Sequence, residues 1–145
     1  MIKHKFGKRS RAKLDTCDII LVKVAERALV LSPVDFTVIH GYRGEDVQNA
    51  LYDSGASTKR FPDSKHNIWD GDNDEPASEG LDFGPWVGGI IPWKDTHMFA
   101  VIAGCFFSAA AELDVKLRWG GDWDMDGSTR DQRLMDWGHV ELIGV

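Results

Sequence analysis

The stretch from Asp95 to Leu113 sets the first constraint on the fold. Met98, Ile102, Cys105, Ala109 and Leu113 recur there at steps of three and four residues, and Asp95-Thr96 precedes them as a cap. This spacing predicts a helix with a continuous apolar stripe, which another element must cover. A second stripe, Cys17, Leu21, Val24, Ala28 and Leu31, predicts a helix with Asp15 or Thr16 as cap and Ser32-Pro33 as stop. "GEDVQNALYDSG" predicts a shorter helix, with Val47, Ala50 and Leu51 inward and Gly55 beyond its end. The remaining apolar residues come in short runs. These predict strands at 36–40, around 80–83, in "VKLRW" and in the closing "MDWGHVELIGV", with a turn or small hairpin at Gly88-Gly89. Helices and strands alternate without a regular βαβ rhythm. The expected fold is α+β, a small antiparallel sheet with packed helices, in a single domain spanning 1–145.

Charge narrows the function. The formal net charge is -6, which disfavours a protein whose main work is gripping nucleic acid or an anionic membrane. The balance is uneven: residues 1–13 hold six of the 17 Lys and Arg, leaving 11 against 23 acids, or -12, for the remainder. A basic N-terminal arm is expected, solvated or docked on an anionic polymer. No apolar stretch approaches the roughly 20 residues that span a bilayer, and the charged start lacks the apolar centre of a secretory signal. Cys17 and Cys105 fall in apolar patterns far apart in sequence, which favours two buried thiols over a disulfide. A soluble chain made in the cytoplasm is expected, with no nucleic-acid partner and no membrane insertion.

The last strand carries the chemistry. Strand side chains alternate, so His139, Glu141 and Ile143 share one face while Val140 and Leu142 share the other. Two ionisable groups on one strand face need partners. Of the five histidines, His4, His40 and His97 read as structural or solvent-facing, whereas His66 sits in a long polar loop from Ser57 to about Gly80 and His139 follows Asp136 by three residues. Catalytic zinc takes three ligands from His, Asp, Glu or Cys and keeps a position for water. There is no HExxH helix, so ligands must come from separate segments. His66, an aspartate at the strand "GLDFGP" and His139 make such a set, with Asp136 placed to take a proton from water.

"FTVIHGYR", "SKH", "GLDFGP", "LRWGGDW" and "DWGHVEL", in that order and behind an N-terminal "KFGKRS", resemble the phage L-alanyl-D-glutamate peptidoglycan endopeptidases, relatives of the VanY-type D-alanyl-D-alanine carboxypeptidases. The resemblance runs over nearly the whole chain. It implies the mixed α+β fold of that group, which is Hedgehog/DD-peptidase-like, and a zinc peptidase acting on bacterial peptidoglycan. Carried over by position, it implies His66, Asp82 and His139 as zinc ligands, with Ser78 and Gly80 in the small positions before Asp82. It also implies Asp136 as catalytic base and Arg43 as the cation that holds the developing oxyanion. Fifteen residues separate His66 from Asp82, more than the family's usual spacer, so Asp74 competes as the carboxylate ligand. Asp82 is preferred because F-G-P follows it, as a core strand requires.

"DWDMDG" places Asp122, Asp124 and Asp126 at alternate positions before Gly127, as in the first half of an EF-hand loop, and Asp131 lies near enough to close it. Position twelve is Arg133 rather than Glu. Some of the phage endopeptidases that the chain resembles carry a regulatory calcium loop after the same G-x-D-W stretch, so the resemblance implies calcium as a second ion, against the alternative of a flexible acidic loop. The expected role is a phage endolysin, monomeric, stored in the infected host's cytoplasm without a signal peptide and acting on the periplasmic wall after release. Two rivals remain: a D-alanyl-D-alanine carboxypeptidase, and a noncatalytic calcium-dependent wall-binding module.

Overall fold

Phe36, Val38, Leu81, Phe83, Val140 and Leu142 alternate with polar or small residues along three strands, and this period of two builds a sheet with one apolar face. The computed structural model describes residues 4–128 and 136–144. Its elements are α1 (Lys8–Leu14), α2 (Ile19–Leu31), β1 (Phe36–His40), α3 (Glu45–Asp53), a 3-10 turn at Lys65–Asn67, β2 (Trp69–Asp70), β3 (Glu75–Pro76), β4 (Gly80–Pro85), α4 (Thr96–Glu112), β5 (Leu117–Trp119) and β6 (His139–Leu142). The main sheet runs β1-β4-β6-β5, antiparallel throughout, and β2 and β3 form a separate small hairpin. The expected α+β architecture is thus present.

Helices α2 and α4 pack together and α4 covers the apolar sheet face. Phe83 stacks on Phe106 at 5.1 Å, and Phe36 meets Phe83 and Phe106 at 5.9 and 5.4 Å. With one face so covered, a one-residue slip would carry every core side chain to the wrong side, so the register is firmly set. The opposite face is left for polar residues.

Four local expectations are corrected. The stripe begun at Cys17 belongs to a helix that starts at Ile19, because Asp18, not Asp15 or Thr16, caps it by accepting from the Ile20 amide at 2.8 Å. Part of the basic arm is ordered helix: α1 lies on β1, with Ser10 Oγ accepting from the Val38 amide at 3.0 Å and Leu14 buried. On α4 the inward residues are Phe99, Ile102, Ala103, Phe106, Ala109 and Ala110, while Leu113 is exposed. The larger aromatic rings claim the sheet, turning the stripe by about one residue. On α3 the buried residue is Gln48, and Val47 is half exposed. A hydrogen-bonding requirement overrides the apolar pattern there, as the site makes clear.

Candidate metal centre

His66, Asp82 and His139 arrive from three segments on the polar sheet face. Asp82 of β4 is the cross-strand partner of His139 in β6. His66 comes from the 3-10 turn, which Ser64 caps by accepting from the His66 amide at 3.2 Å, while the Asn67 side chain accepts from the Ser64 amide at 2.9 Å. All three residues are buried, His66 at 2% exposure, His139 at 6% and Asp82 at 9%. His66 Nε2 lies 3.2 Å from both Asp82 Oδ1 and His139 Nδ1, and the latter two are 2.9 Å apart. Ligands held at 2.0–2.2 Å on a tetrahedral ion are separated by about 3.3 Å. The triangle therefore fits one face of such a coordination sphere, with the donor chemistry zinc favours.

The outer bonds fix which atoms face inward. His66 Nδ1 donates to the Gly41 carbonyl at 2.7 Å, which leaves the Nε2 lone pair for the centre. His139 Nε2 meets Glu141 Oε1 at 2.9 Å, and Arg118 Nη2 donates to Glu141 Oε2 at 2.9 Å. Burial opposes the Glu141 charge, but the bonds from His139 and Arg118 outweigh it and bring its pKa down to about 2. Glu141 is thus an acceptor that holds His139 with Nδ1 turned inward. The pairing asked for by two ionisable groups on one strand face is met by this chain of His139, Glu141 and Arg118.

Packing around the ligands is close. A Cβ on Gly80 would stand 3.2 Å from His139 Cε1 and 3.3 Å from His66 Cδ2. A side chain at position 80 would press on both rings, so the small residue keeps β4 close beneath them. Ser78, fully buried, donates from Oγ to the Gly80 carbonyl at 2.6 Å. Asp74 lies apart from this cluster, exposed on the β2–β3 turn, where its Oδ1 accepts from Trp69 Nε1 at 3.3 Å. The long spacer between His66 and Asp82 is taken up by that hairpin.

Asp82 Oδ2 points away from the centre and accepts from Arg43 and from His40 Nδ1, the latter at 3.2 Å. His40 is a site neighbour that the sequence reading set aside. In β1 the pairing skips Ile39 between Val38 and His40, and this bulge delivers His40 to the Asp82 face, whereas strict alternation would have put it with Val38 in the core. No one-sequence pattern announces such a bulge. Burial opposes ionisation of Asp82, yet the charge of His66 and the bonds from His139 and His40 hold it well below the usual carboxylate range.

Arg43 and Asp136 border the same cleft of about 310 Å³ over the cluster. Arg43 is in an ion pair with Asp82, and Nη1 donates to Gln48 Oε1 at 3.4 Å. This explains the buried Gln48, whose Nε2 also donates to Ser57 Oγ at 2.9 Å and to the Lys59 carbonyl at 2.6 Å. Asp136 opens the turn into β6, its carbonyl accepting from the His139 amide at 3.2 Å. Its side chain keeps contact with solvent, yet the cleft walls desolvate it and Asp82 repels its charge, so its carboxyl titrates above the usual range.

Asp122, Asp124 and Asp126 bring carboxylate oxygens within 4.8 Å of one another on a surface loop, and the Gly127 amide donates to Asp122 Oδ2 at 2.8 Å. Asp131, expected to close that loop, lies outside the described residues, as does Arg133. Trp123 of the loop lies against the His139 ring at 5.5 Å, while Trp119 is core, with Nε1 donating to the Trp137 carbonyl at 2.7 Å.

Residues 2–143 match the family model described as phage L-alanyl-D-glutamate peptidase. The chain is 38% identical over 144 residues to the L-alanyl-D-glutamate peptidase of Escherichia phage T5, covering 96% of this chain and 98% of that one. Its structure matches that of ChiX, an L-Ala D-Glu endopeptidase of Serratia marcescens, with a TM-score of 0.74 and 26% identity over 95% of this chain and 90% of the other.

Proposed function

The chain belongs to the phage L-alanyl-D-glutamate peptidase family, and from that premise we propose that it is a zinc-dependent endolysin that cuts the L-Ala/D-Glu bond in the stem peptides of bacterial peptidoglycan. The observation that carries the metal is the convergence of His66 Nε2, Asp82 Oδ1 and His139 Nδ1, with outer partners that turn a lone pair of each inward. Zinc held by these three would supply Lewis acidity and the activation of a water at neutral pH.

The protein's own groups do the rest. Asp136, as general base, takes a proton as the water oxygen bonds to the alanyl carbonyl carbon. As the C–N bond breaks, the same carboxyl returns that proton to the departing glutamyl nitrogen. Arg43 supplies a fixed cation at the cleft for negative charge gathering on the carbonyl oxygen, and its pairing with Asp82 and Gln48 holds it ready. Burial of the ligand set keeps competing water from its inner side.

Product identity tests the reading. Mass spectrometry of digested muropeptides should find stem peptides freed with a new N-terminal glutamate; a lost terminal alanine would instead identify a D,D-carboxypeptidase. Calcium at Asp122, Asp124, Asp126 and Asp131 is the second reading, favoured by three converging carboxylates whose loop reaches His139 through Trp123. Neutralising those charges beside the site would raise activity. A wall-lysis rate that stays flat as free calcium rises, with zinc held constant, would remove that role.

A further inference from the structure

A glutamyl residue in a peptide leaves one of its two carboxyls free, whichever of them carries the chain onward. Cutting an alanyl-glutamate bond therefore draws a carboxylate into the cleft, a few bonds from the scissile amide. Such an anion needs a partner once water is displaced. The cleft wall carries Arg43, Lys59, Lys65 and Arg118 against Asp136 and Glu141.

Three of those four cations are already matched. Arg43 pairs with Asp82, Lys65 Nζ with Glu79 at 2.9 Å and Arg118 with Glu141 at 2.9 Å. Lys59 has no ion pair among the described residues. Its backbone is nonetheless fixed: the Lys59 carbonyl accepts from buried Gln48 Nε2 at 2.6 Å, and the Lys59 amide donates to Ser57 Oγ at 3.2 Å. Gln48 also accepts from Arg43, which reaches Asp82. One buried amide thus ties the base of the Lys59 side chain to the frame of the metal ligands, so an exposed lysine springs from a fixed point on the cleft rim.

We propose that Lys59 is a specificity residue that receives the free carboxylate of the glutamyl residue on the leaving side of the scissile bond. The proposal rests on the peptidase function above and adds which side of the substrate the cationic wall reads.

The test uses two synthetic peptides with an L-alanyl-D-glutamyl bond, identical except that the free carboxyl is a carboxamide in one. Steady-state rates are measured with the zinc-loaded parent, Lys59→Met and Lys59→Arg. The parent should prefer the carboxylate peptide by about 10- to 100-fold in kcat/KM, mostly through KM, the size of one charge-assisted bond. Lys59→Met should lose most of that preference through a raised KM for the carboxylate peptide, and Lys59→Arg should keep it. Equal cleavage of both peptides by the parent, or an undiminished preference in Lys59→Met, would overturn the proposal while leaving the peptidase reading intact. Cleavage of neither peptide by the parent would overturn that reading and this one with it.

Discussion

Asp136 and Glu141 flank His139 in the chain and act on it differently, so their substitutions separate chemistry from metal binding. Asp136→Ala removes the proposed base without touching a ligand; kcat should fall by about 10²- to 10⁴-fold while zinc content, read by elemental analysis, stays that of the parent. Glu141→Gln keeps the shape but not the charge that faces His139 Nε2 and Arg118. Zinc affinity, measured by competition with a chelator, should weaken about 10- to 100-fold. If both variants lost zinc equally, the division of labour would be wrong. The pairing need of His139 and Glu141 was legible in the alternation of the closing strand, whereas the parts proposed for Asp136, Asp82 and Arg43 came by position from the family resemblance. His40 was not legible, because its place beside Asp82 depends on the skipped Ile39 in β1.

At the scale of elements, the strands and the long helix α4 were readable from their periods, and the hairpin turn at Gly88-Gly89 forms where expected, with Val87 bridging Ile90. Helix α3 was readable as a helix but not in its orientation. A pattern of apolar positions turns Val47 inward, yet the structure buries Gln48, whose one amide bonds Arg43, Ser57 and the Lys59 carbonyl together. Gln48→Leu should therefore destabilise the fold by about 1–3 kcal/mol, despite adding an apolar residue, since it removes three hydrogen bonds made by a fully buried side chain. Denaturant unfolding checks this: a variant as stable as the parent would mean those bonds contribute nothing net. The β2–β3 hairpin was hidden in the sequence, since two-residue strands amid Asp, Asn and Gly carry no period to read.

For the whole molecule, the two faces of the sheet divide the work: aromatic packing under α4 holds the register, and that register places β4 against β6 so that Asp82 meets His139. Cys17 reports on this assembly from the junction between α1 and α2, where burial pushes its thiol up to about 12. A folded pKa above the ordinary 9.0 stabilises the fold below pH 9 and loses that contribution as pH rises from 9 toward 12. Alkylation followed by mass spectrometry should label the half-buried Cys105 first and Cys17 only on unfolding; equally fast labelling would mean the junction opens in the native state. No helix among the described residues is long and apolar enough to cross a membrane. The central claim is that side chains from the 3-10 turn, β4 and β6 hold one transition-metal ion together. Elemental analysis of the purified protein tests it most directly: about one zinc per chain is predicted, lost in each of His66→Ala, Asp82→Ala and His139→Ala with the fold retained by circular dichroism, whereas a parent that holds no zinc, or variants that keep it, would contradict the account.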